Sequence, residues 1–149
     1  RAYSLIPGRI YINLKGREWA GTVEQGNHYN ELCREIREKI KLMTDPDSGE
    51  SIVQKVFTRN ELYSGAYVHR AADLIVIPND GYDLKGNLVA DSLTHKGKIV
   101  GTHTYDDAFL YVGGMNLAPR KPEIIDVLPT IFDLMKVPLP SMVEGKSLL

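Results

Sequence analysis

A single apolar stripe in the first third of the chain constrains the fold most. Between residues 27 and 43, apolar side chains recur at helical spacing, and charged residues such as Glu35 and Lys39 occupy the positions between them. A helix cannot bury such a stripe by itself, so a sheet or a second helix must cover it. We therefore predict an amphipathic helix over residues 27–43, capped by Asn27. The stripe consists of Tyr29, Leu32, Cys33, Ile36, Ile40 and Met43.

Three apolar segments predict strands that cover this helix. Apolar and polar residues alternate from Ile10 to Leu14, which is typical of a half-buried strand. Residues 52–57 form a second candidate strand. Residues 73–78 are a nearly continuous apolar run ended by a proline, which indicates a strand buried on both faces.

The segments around these strands complete the predicted order. We expect a turn-rich lead-in at residues 1–8, one helical turn at 59–63 and a long loop at 79–97. Trp19, the one tryptophan, is predicted to pack at an edge of the sheet. Alternation of strands and helices predicts a mixed α/β fold built from α+β layers.

The last third of the chain predicts one more strand and one more helix. Residues 108–112 are apolar and favour a buried strand. Asp126 is predicted to cap the final helix, and Pro129 then falls in its first turn, where a missing N–H costs nothing. The predicted buried face of this helix comprises Val127, Leu128, Ile131, Leu134 and Met135.

Composition excludes several classes of protein. The chain has 149 residues, 43% of them hydrophobic, which is enough for one sizeable core. A net charge of −1 argues against a nucleic-acid-binding surface, and no segment is long and apolar enough to span a membrane. The single Cys33 excludes an internal disulfide and is expected to be structural. With no secretory leader in these residues, we expect a cytoplasmic location.

The turn at residues 101–107 carries the strongest candidate chemistry. His103 follows a Gly-Thr pair, and Asp106 and Asp107 follow it closely. Imidazole and carboxylate together suit a divalent transition metal, zinc first. A hydrogen-bonded loop is the alternative for these residue types. Adjacent carboxylates at the start of a strand point in opposite directions, so we expect one to approach the metal and the other to cap the turn.

Several blocks of the sequence resemble one family. Residues 101–110 (Gly-Thr-His-Thr-Tyr-Asp-Asp-Ala-Phe-Leu) resemble the last metal-binding segment of the type I phosphodiesterase/nucleotide pyrophosphatase family, in the alkaline phosphatase superfamily. Residues 1–4 and 8–18 resemble the segment before that family's inserted subdomain. Residues 126–134 resemble the superfamily's closing helix, and residues 138–140 and 144–149 resemble its usual tail.

The resemblance implies a fold and a function. It implies the C-terminal part of an alkaline-phosphatase-like fold, in which residues 15–95 form an inserted α+β cap and residues 1–14 and 96–149 belong to the main sheet. In the family two metal ions, usually zinc, activate a Thr or Ser nucleophile and stabilise the transferring phosphoryl group. His103 matches the family's last metal-ligand histidine, and no segment of these residues matches the nucleophile or the other ligands.

The resemblance also implies partners. We expect the upstream half of the same polypeptide to supply the missing groups, and a phosphate ester or nucleotide to be the substrate. Zinc or another divalent metal would bind the full-length protein, whereas this chain alone would hold none tightly and would be inactive. The isolated chain is also expected to form a homodimer through surface that the upstream half would bury.

Alternatives remain open at several positions. Tyr82, Asp83 and Lys85 either line the mouth of a substrate site or belong to a plain surface loop. A non-catalytic binding domain that has kept the fold is the rival function. The other three histidines lie on segments that favour the surface, and exposed side chains are expected for each: His28, His69 and His95.

Overall fold

The computed structural model describes residues 1–86, 89–104 and 108–149. The predictions for Asp106 and Asp107 therefore lie outside the described residues. The chain divides into two compact units, Arg1–His103 and Thr104–Leu149. Both strands and helices are present, so the predicted mixed α/β class is confirmed. The proposed cap boundaries at residues 15–95 stay a prediction.

The first unit is built on a four-stranded antiparallel sheet. Strands β1 (Ala2–Ile6) and β2 (Arg9–Ile12) form a hairpin, and β3 (Val53–Thr58) pairs with β4 (Leu74–Pro78). Strand β4 also pairs with β2, which gives the order β1-β2-β4-β3. Strand β4 lies between two other strands, and most of its residues are buried, as predicted. This burial explains its nearly continuous apolar sequence.

The predicted turn-rich lead-in at residues 1–8 is wrong, because β1 occupies most of it. The turn is confined to Pro7 and Gly8, where Gly8 has a φ of +73°. A Cβ at Gly8 would lie 2.9 Å from the carbonyl oxygen of Val76, whose N–H donates to the Gly8 carbonyl at 2.8 Å. The Tyr3 and Tyr11 rings stack across the hairpin with centroids 5.4 Å apart. Cross-strand pairing therefore outweighs the local turn signals.

Helix α1 (Asn27–Lys41) covers one face of this sheet, which confirms the predicted helix. Gly26, not Asn27, is the N-cap residue, and no side chain caps the helix, so the capping prediction is wrong. The apolar stripe packs on buried residues of β3 and β4 and on a smaller cluster around Ile12 and Val23. Each fully buried aliphatic side chain contributes about 1.5–3 kcal/mol. The half-buried members of the stripe are Tyr29, Cys33, Ile36, Ile40 and Met43.

A short helical connection links β3 to β4. Helix α2 (Arg59–Leu62) confirms the predicted helical turn, and a 3₁₀ turn follows at Val68–Arg70. The Glu61 carboxylate accepts the Thr58 N–H at 2.6 Å and so holds the start of α2. No helix in the described part of the chain is long and apolar enough to cross a bilayer.

The second unit consists of a 3₁₀ turn at Ile124–Asp126, helix α3 (Val127–Met135) and the chain around them. Pro129 lies in the first turn of α3, as predicted, but the predicted buried face is wrong. Pro129 and Thr130 are buried instead, and Leu148 packs in the tail with 1% of its surface exposed. The C-terminal tail thus covers the side of α3 opposite to the expected one. The residues that this leaves exposed are Leu128, Ile131, Leu134 and Met135.

The predicted strand at residues 108–112 is also wrong. These residues have no regular structure, and Phe109 and Tyr111 are 92% and 82% exposed. A strand needs a neighbour for its backbone groups, and none of the described residues pairs with this segment. Local apolar character is therefore insufficient to form the strand.

Candidate functional site

The most heavily bonded side chain of the first unit is Asp73, immediately before β4. It is 1% exposed. Its carboxylate accepts the N–H of Ile12 at 2.7 Å and the hydroxyl of Tyr29 at 2.8 Å. Arg17 adds a bidentate pair of N–H donors at 2.7 and 2.8 Å, and Arg59 contributes a contact at 3.2 Å. One buried carboxylate thus joins β2, the loop after it, α1 and α2.

The loop after β2 is organised around the same group. Arg17 also donates to the Ile12 carbonyl at 2.6 Å and to the Glu18 carboxylate at 2.7 Å. Glu18 in turn accepts the Leu14 N–H at 2.7 Å and the Tyr3 hydroxyl at 3.0 Å. Arg17 and Glu18 turn inward while Trp19 is 88% exposed, so the prediction that Trp19 packs at an edge is wrong.

The charges in this cluster stabilise one another. Burial raises the pKa of the Asp73 carboxyl, but hydrogen bonds from Arg17, the Ile12 N–H and Tyr29 lower it more, and its pKa lies below the usual range. The hydrogen bond to Asp73 holds the pKa of Arg17 above its ordinary value. Burial, and then the bond to Asp73, raise the pKa of Tyr29. The cluster therefore holds a fixed ion pair in which Tyr29 stays a neutral donor.

Sequence reasoning missed this cluster. From the sequence alone, Arg17 and Glu18 favour a solvated strand end, and Asp73 marks only the start of an apolar run. A carboxylate next to a buried strand is a usable signal, because such a group needs donors. Nothing in the sequence identifies Arg17 as the principal donor, since 56 positions separate the two residues.

His103 lies at the end of the first unit, outside any helix or strand, and is exposed. Within the part of the chain that the structure describes, it has no hydrogen-bond partner. Its ring nitrogens are therefore accessible to a ligand. Asp106 and Asp107 lie outside the described residues, so the structure does not place them beside His103.

The described residues alone do not form a metal site. Across residues 1–86, 89–104 and 108–149, no group of three or more His, Cys, Asp or Glu side chains is positioned to hold a metal ion. A zinc centre needs about three or four protein ligands. His103 by itself supplies one imidazole.

The three residues considered for a substrate mouth lie on the segment after β4. The Tyr82 hydroxyl donates to the Asp45 carboxylate at 3.2 Å, which ties this segment to the turn after α1. Asp83 and Lys85 form an exposed ion pair with each other. The structure does not bring them together with His103, and their role at a substrate mouth stays a prediction. His28, His69 and His95 are exposed, as predicted.

The second unit has its own carboxylate anchor at Asp126. This residue occupies the N-cap position of α3, but its side chain makes no capping bond. It instead accepts the Arg120 guanidinium at 2.7 Å and the N–H groups of Glu123 and Lys146 at 2.9 Å each. Hydrogen bonds from Arg120 and these two N–H groups hold the pKa of Asp126 well below its usual range. Asp126 therefore fastens the C-terminal tail to the start of α3.

The fold and the exposed His103 define a mixed α/β domain whose candidate chemistry lies at the end of its sheet-containing unit. The model of one family, type I phosphodiesterase / nucleotide pyrophosphatase, matches residues 3–106. This is more than two thirds of the chain, and the chain belongs to that family. No curated protein and no solved structure matched it in the other two comparisons. Family membership indicates a hydrolase of phosphate esters.

Proposed function

We propose that this chain is the C-terminal region of a metal-dependent phosphodiesterase or nucleotide pyrophosphatase and contributes His103 as one metal ligand. The family match carries the proposal, because it runs from β1 through the His103 turn to residue 106. The exposure of His103 supports it, since a ligand imidazole must be free to bind.

The remaining ligands and the nucleophile are proposed to come from the upstream half of the same polypeptide. A single imidazole offers no chelate, and the described residues provide no cluster that completes a site around it. Binding of zinc or another divalent metal therefore depends on groups that these residues do not supply. The alkaline-phosphatase-like fold of the whole enzyme is part of this proposal.

Residues 15–95 are proposed to form the cap over the substrate. Helix α1 and strands β3 and β4 enclose a hydrophobic core in this region, and the Asp73 cluster fastens it to β2. Such internal support would let it keep its shape beside a reaction centre. In this proposal Tyr82, Asp83 and Lys85 face the opening for the substrate.

The decisive experiment compares the longer polypeptide with the isolated chain. Bis(4-nitrophenyl) phosphate hydrolysis and bound zinc are measured for both, and for His103→Ala and His95→Ala in each. His95 is the matched control because it is an exposed histidine in the same segment. We expect turnover and bound zinc in the longer polypeptide, loss of both with His103→Ala and little change with His95→Ala. The loss in rate should reach several powers of ten.

Three results would count against the proposal. Turnover by the isolated chain that disappears with His103→Ala would show that a complete site lies within these residues. Unchanged turnover and zinc content of the longer His103→Ala polypeptide would remove His103 from the site. A longer polypeptide that never hydrolyses the diester would favour the non-catalytic binding domain.

A further inference from the structure

We propose that the flank of α1 is a binding site for small molecules that carry an oligophosphate group. The site, called here the basic groove, runs between α1 and the β3–α2 segment. It consists of two adjoining depressions of about 370 and 340 Å³ that share Arg37 and Lys41. Depressions of this size match small-molecule ligands. The proposal is independent of the proposed hydrolase function, because neither His103 nor a metal takes part.

The groove carries an excess of positive charge in a chain whose net charge is −1. Its five cationic side chains exceed its three acidic ones by two. Neither Arg34 nor Lys55 forms an ion pair with any residue that the structure describes. The cationic side chains are Arg34, Arg37, Lys41, Lys55 and Arg59, and the acidic ones are Glu38, Glu61 and Asp73.

Each of the three carboxylates already pairs with one cation of the groove, which leaves Arg34 and Lys55 as the free ones among the described residues. Asp73 pairs with Arg59 at 3.2 Å, Glu61 with Arg37 at 3.3 Å and Glu38 with Lys41 at 3.1 Å. Asp73 is buried and also holds Arg17 in a bidentate pair, and Glu61 also accepts the Thr58 N–H at 2.6 Å. The acidic groups therefore compete weakly with an incoming anion for the free cations of the groove.

Arg37 shows an incomplete set of partners at the centre of the groove. Its Nη2 reaches the Glu61 carboxylate only at 3.3 Å, and its buried Nε has no partner among the described residues. The guanidinium therefore lacks one of the hydrogen bonds that it can make, and an anion bound beside Arg37 would supply a further acceptor. Arg34 lies one helical turn earlier on the same flank of α1, which places two guanidinium groups along one line.

This arrangement favours a short chain of phosphates over other anions. A guanidinium group matches phosphate oxygens in a bidentate geometry, and two of them in line suit linked phosphates. The groove has an excess of only two positive charges and covers two small depressions. A nucleic acid requires a longer basic surface to bind. Half-buried Tyr29 and Cys33 in the wall provide apolar contact for the organic part of a ligand.

The test is calorimetric titration of the 149-residue chain with inorganic tripolyphosphate and with ATP, at low salt and without divalent metal. We expect saturable one-to-one binding of both that weakens when the ionic strength is raised to about 0.15 M. The Arg34→Gln/Arg37→Gln variant should bind at least about tenfold more weakly, because two charge-assisted contacts are lost. Lys39→Gln is the matched control, since Lys39 is a cation of the same helix that lines neither depression. It should change the affinity less than about twofold.

The arms of the experiment separate the outcomes. Equal affinities for tripolyphosphate and ATP would show that the phosphates alone are recognised. Tighter binding of ATP would show that the apolar wall at Tyr29 and Cys33 also contacts the ligand. Both results support the proposal. Arg34→Gln alone keeps the test valid if the double variant misfolds, because Arg34 is exposed and without an ion pair in the described structure. Absence of saturable binding, or equal losses in Lys39→Gln and the arginine variants, would overturn it.

Discussion

Replacing Asp73 by asparagine tests the buried cluster that organises the first unit. The change preserves the shape of the side chain but removes the charge that faces Arg17 and Arg59. In the original chain the Asp73 carboxylate accepts four hydrogen bonds of 2.7–2.8 Å. In the variant, the amide NH₂ group would replace one of the accepting oxygens and would face N–H or O–H donors. Breaking a buried ion pair by removing one partner costs about 3–5 kcal/mol. Since the Arg17 and Arg59 side chains are 21% and 19% exposed, we expect the lower end, about 3 kcal/mol.

Urea unfolding followed by far-UV circular dichroism measures this loss. With an m value of roughly 1–3 kcal/mol/M, a loss of about 3 kcal/mol lowers the midpoint by about 1–3 M. Asp80→Asn is the matched control, because Asp80 is an exposed aspartate near the other end of β4. Its free energy of unfolding should stay within about 0.5 kcal/mol of the original. A loss below about 1 kcal/mol in Asp73→Asn would refute the reasoning, since that is the worth of one ordinary hydrogen bond.

The pH dependence of stability provides a second readout of the same group. The pKa of Asp73 is lower in the folded chain than the value near 3.9 expected when it is unfolded. Its contribution is therefore complete above that unfolded value and is lost as the pH falls through the folded pKa. We expect the original chain to lose more stability on acidification below about pH 4 than Asp73→Asn does. Parallel pH profiles for the two proteins would contradict this assignment.

Three further predictions concern the second unit. Gly145→Ala should destabilise the second unit more than Gly114→Ala. Both glycines have positive φ, but only at Gly145 would a Cβ lie 2.3 Å from a backbone oxygen. Equal decreases in the melting temperature of the two variants would contradict this. Arg120→Gln should speed hydrogen exchange of the C-terminal amides, because the guanidinium holds both Asp126 and the tail carbonyl at Lys146; unchanged protection would disprove the anchor. The isolated chain should self-associate through exposed apolar surface, and Phe109→Ser should reduce this in light scattering; a strict monomer at high concentration would argue against it.

The sequence predicted elements whose partners lie within the chain. Helix α1 and strand β4 carry long periodic or continuous apolar patterns, and each finds its partner in the same unit. Their periods are set by covalent geometry, so local residues suffice to identify them. Strand β1 was missed because it is a five-residue segment directly before the Pro7-Gly8 turn, and only its pairing with β2 reveals it.

The candidate site was predictable only where a motif is contiguous. His103 lies within a run of ten residues that resembles one family segment, and the family match includes it. The Asp73 cluster joins groups from positions 12, 17, 29, 59 and 73, so its chemistry depends on distant segments meeting in the fold. The pattern of a single sequence does not identify which distant residues come into contact. A charged residue beside a buried apolar run does predict that some hydrogen-bond or ion-pair partner exists for it.

Two of the predictions of burial that failed, those for α3 and for residues 108–112, share a physical cause. Periodicity shows that a face is apolar, but burial requires a second surface of matching size. In α3 the apolar side chains of Leu128 and Ile131 are 45% and 44% exposed, and in residues 108–112 Phe109 is almost fully exposed. The proposed function supplies the missing surface, because an upstream half that completes the main sheet would pack on these side chains. The predicted association of the isolated chain, its predicted inactivity and the exposure of these residues would then have one origin, and the longer polypeptide should remove all three.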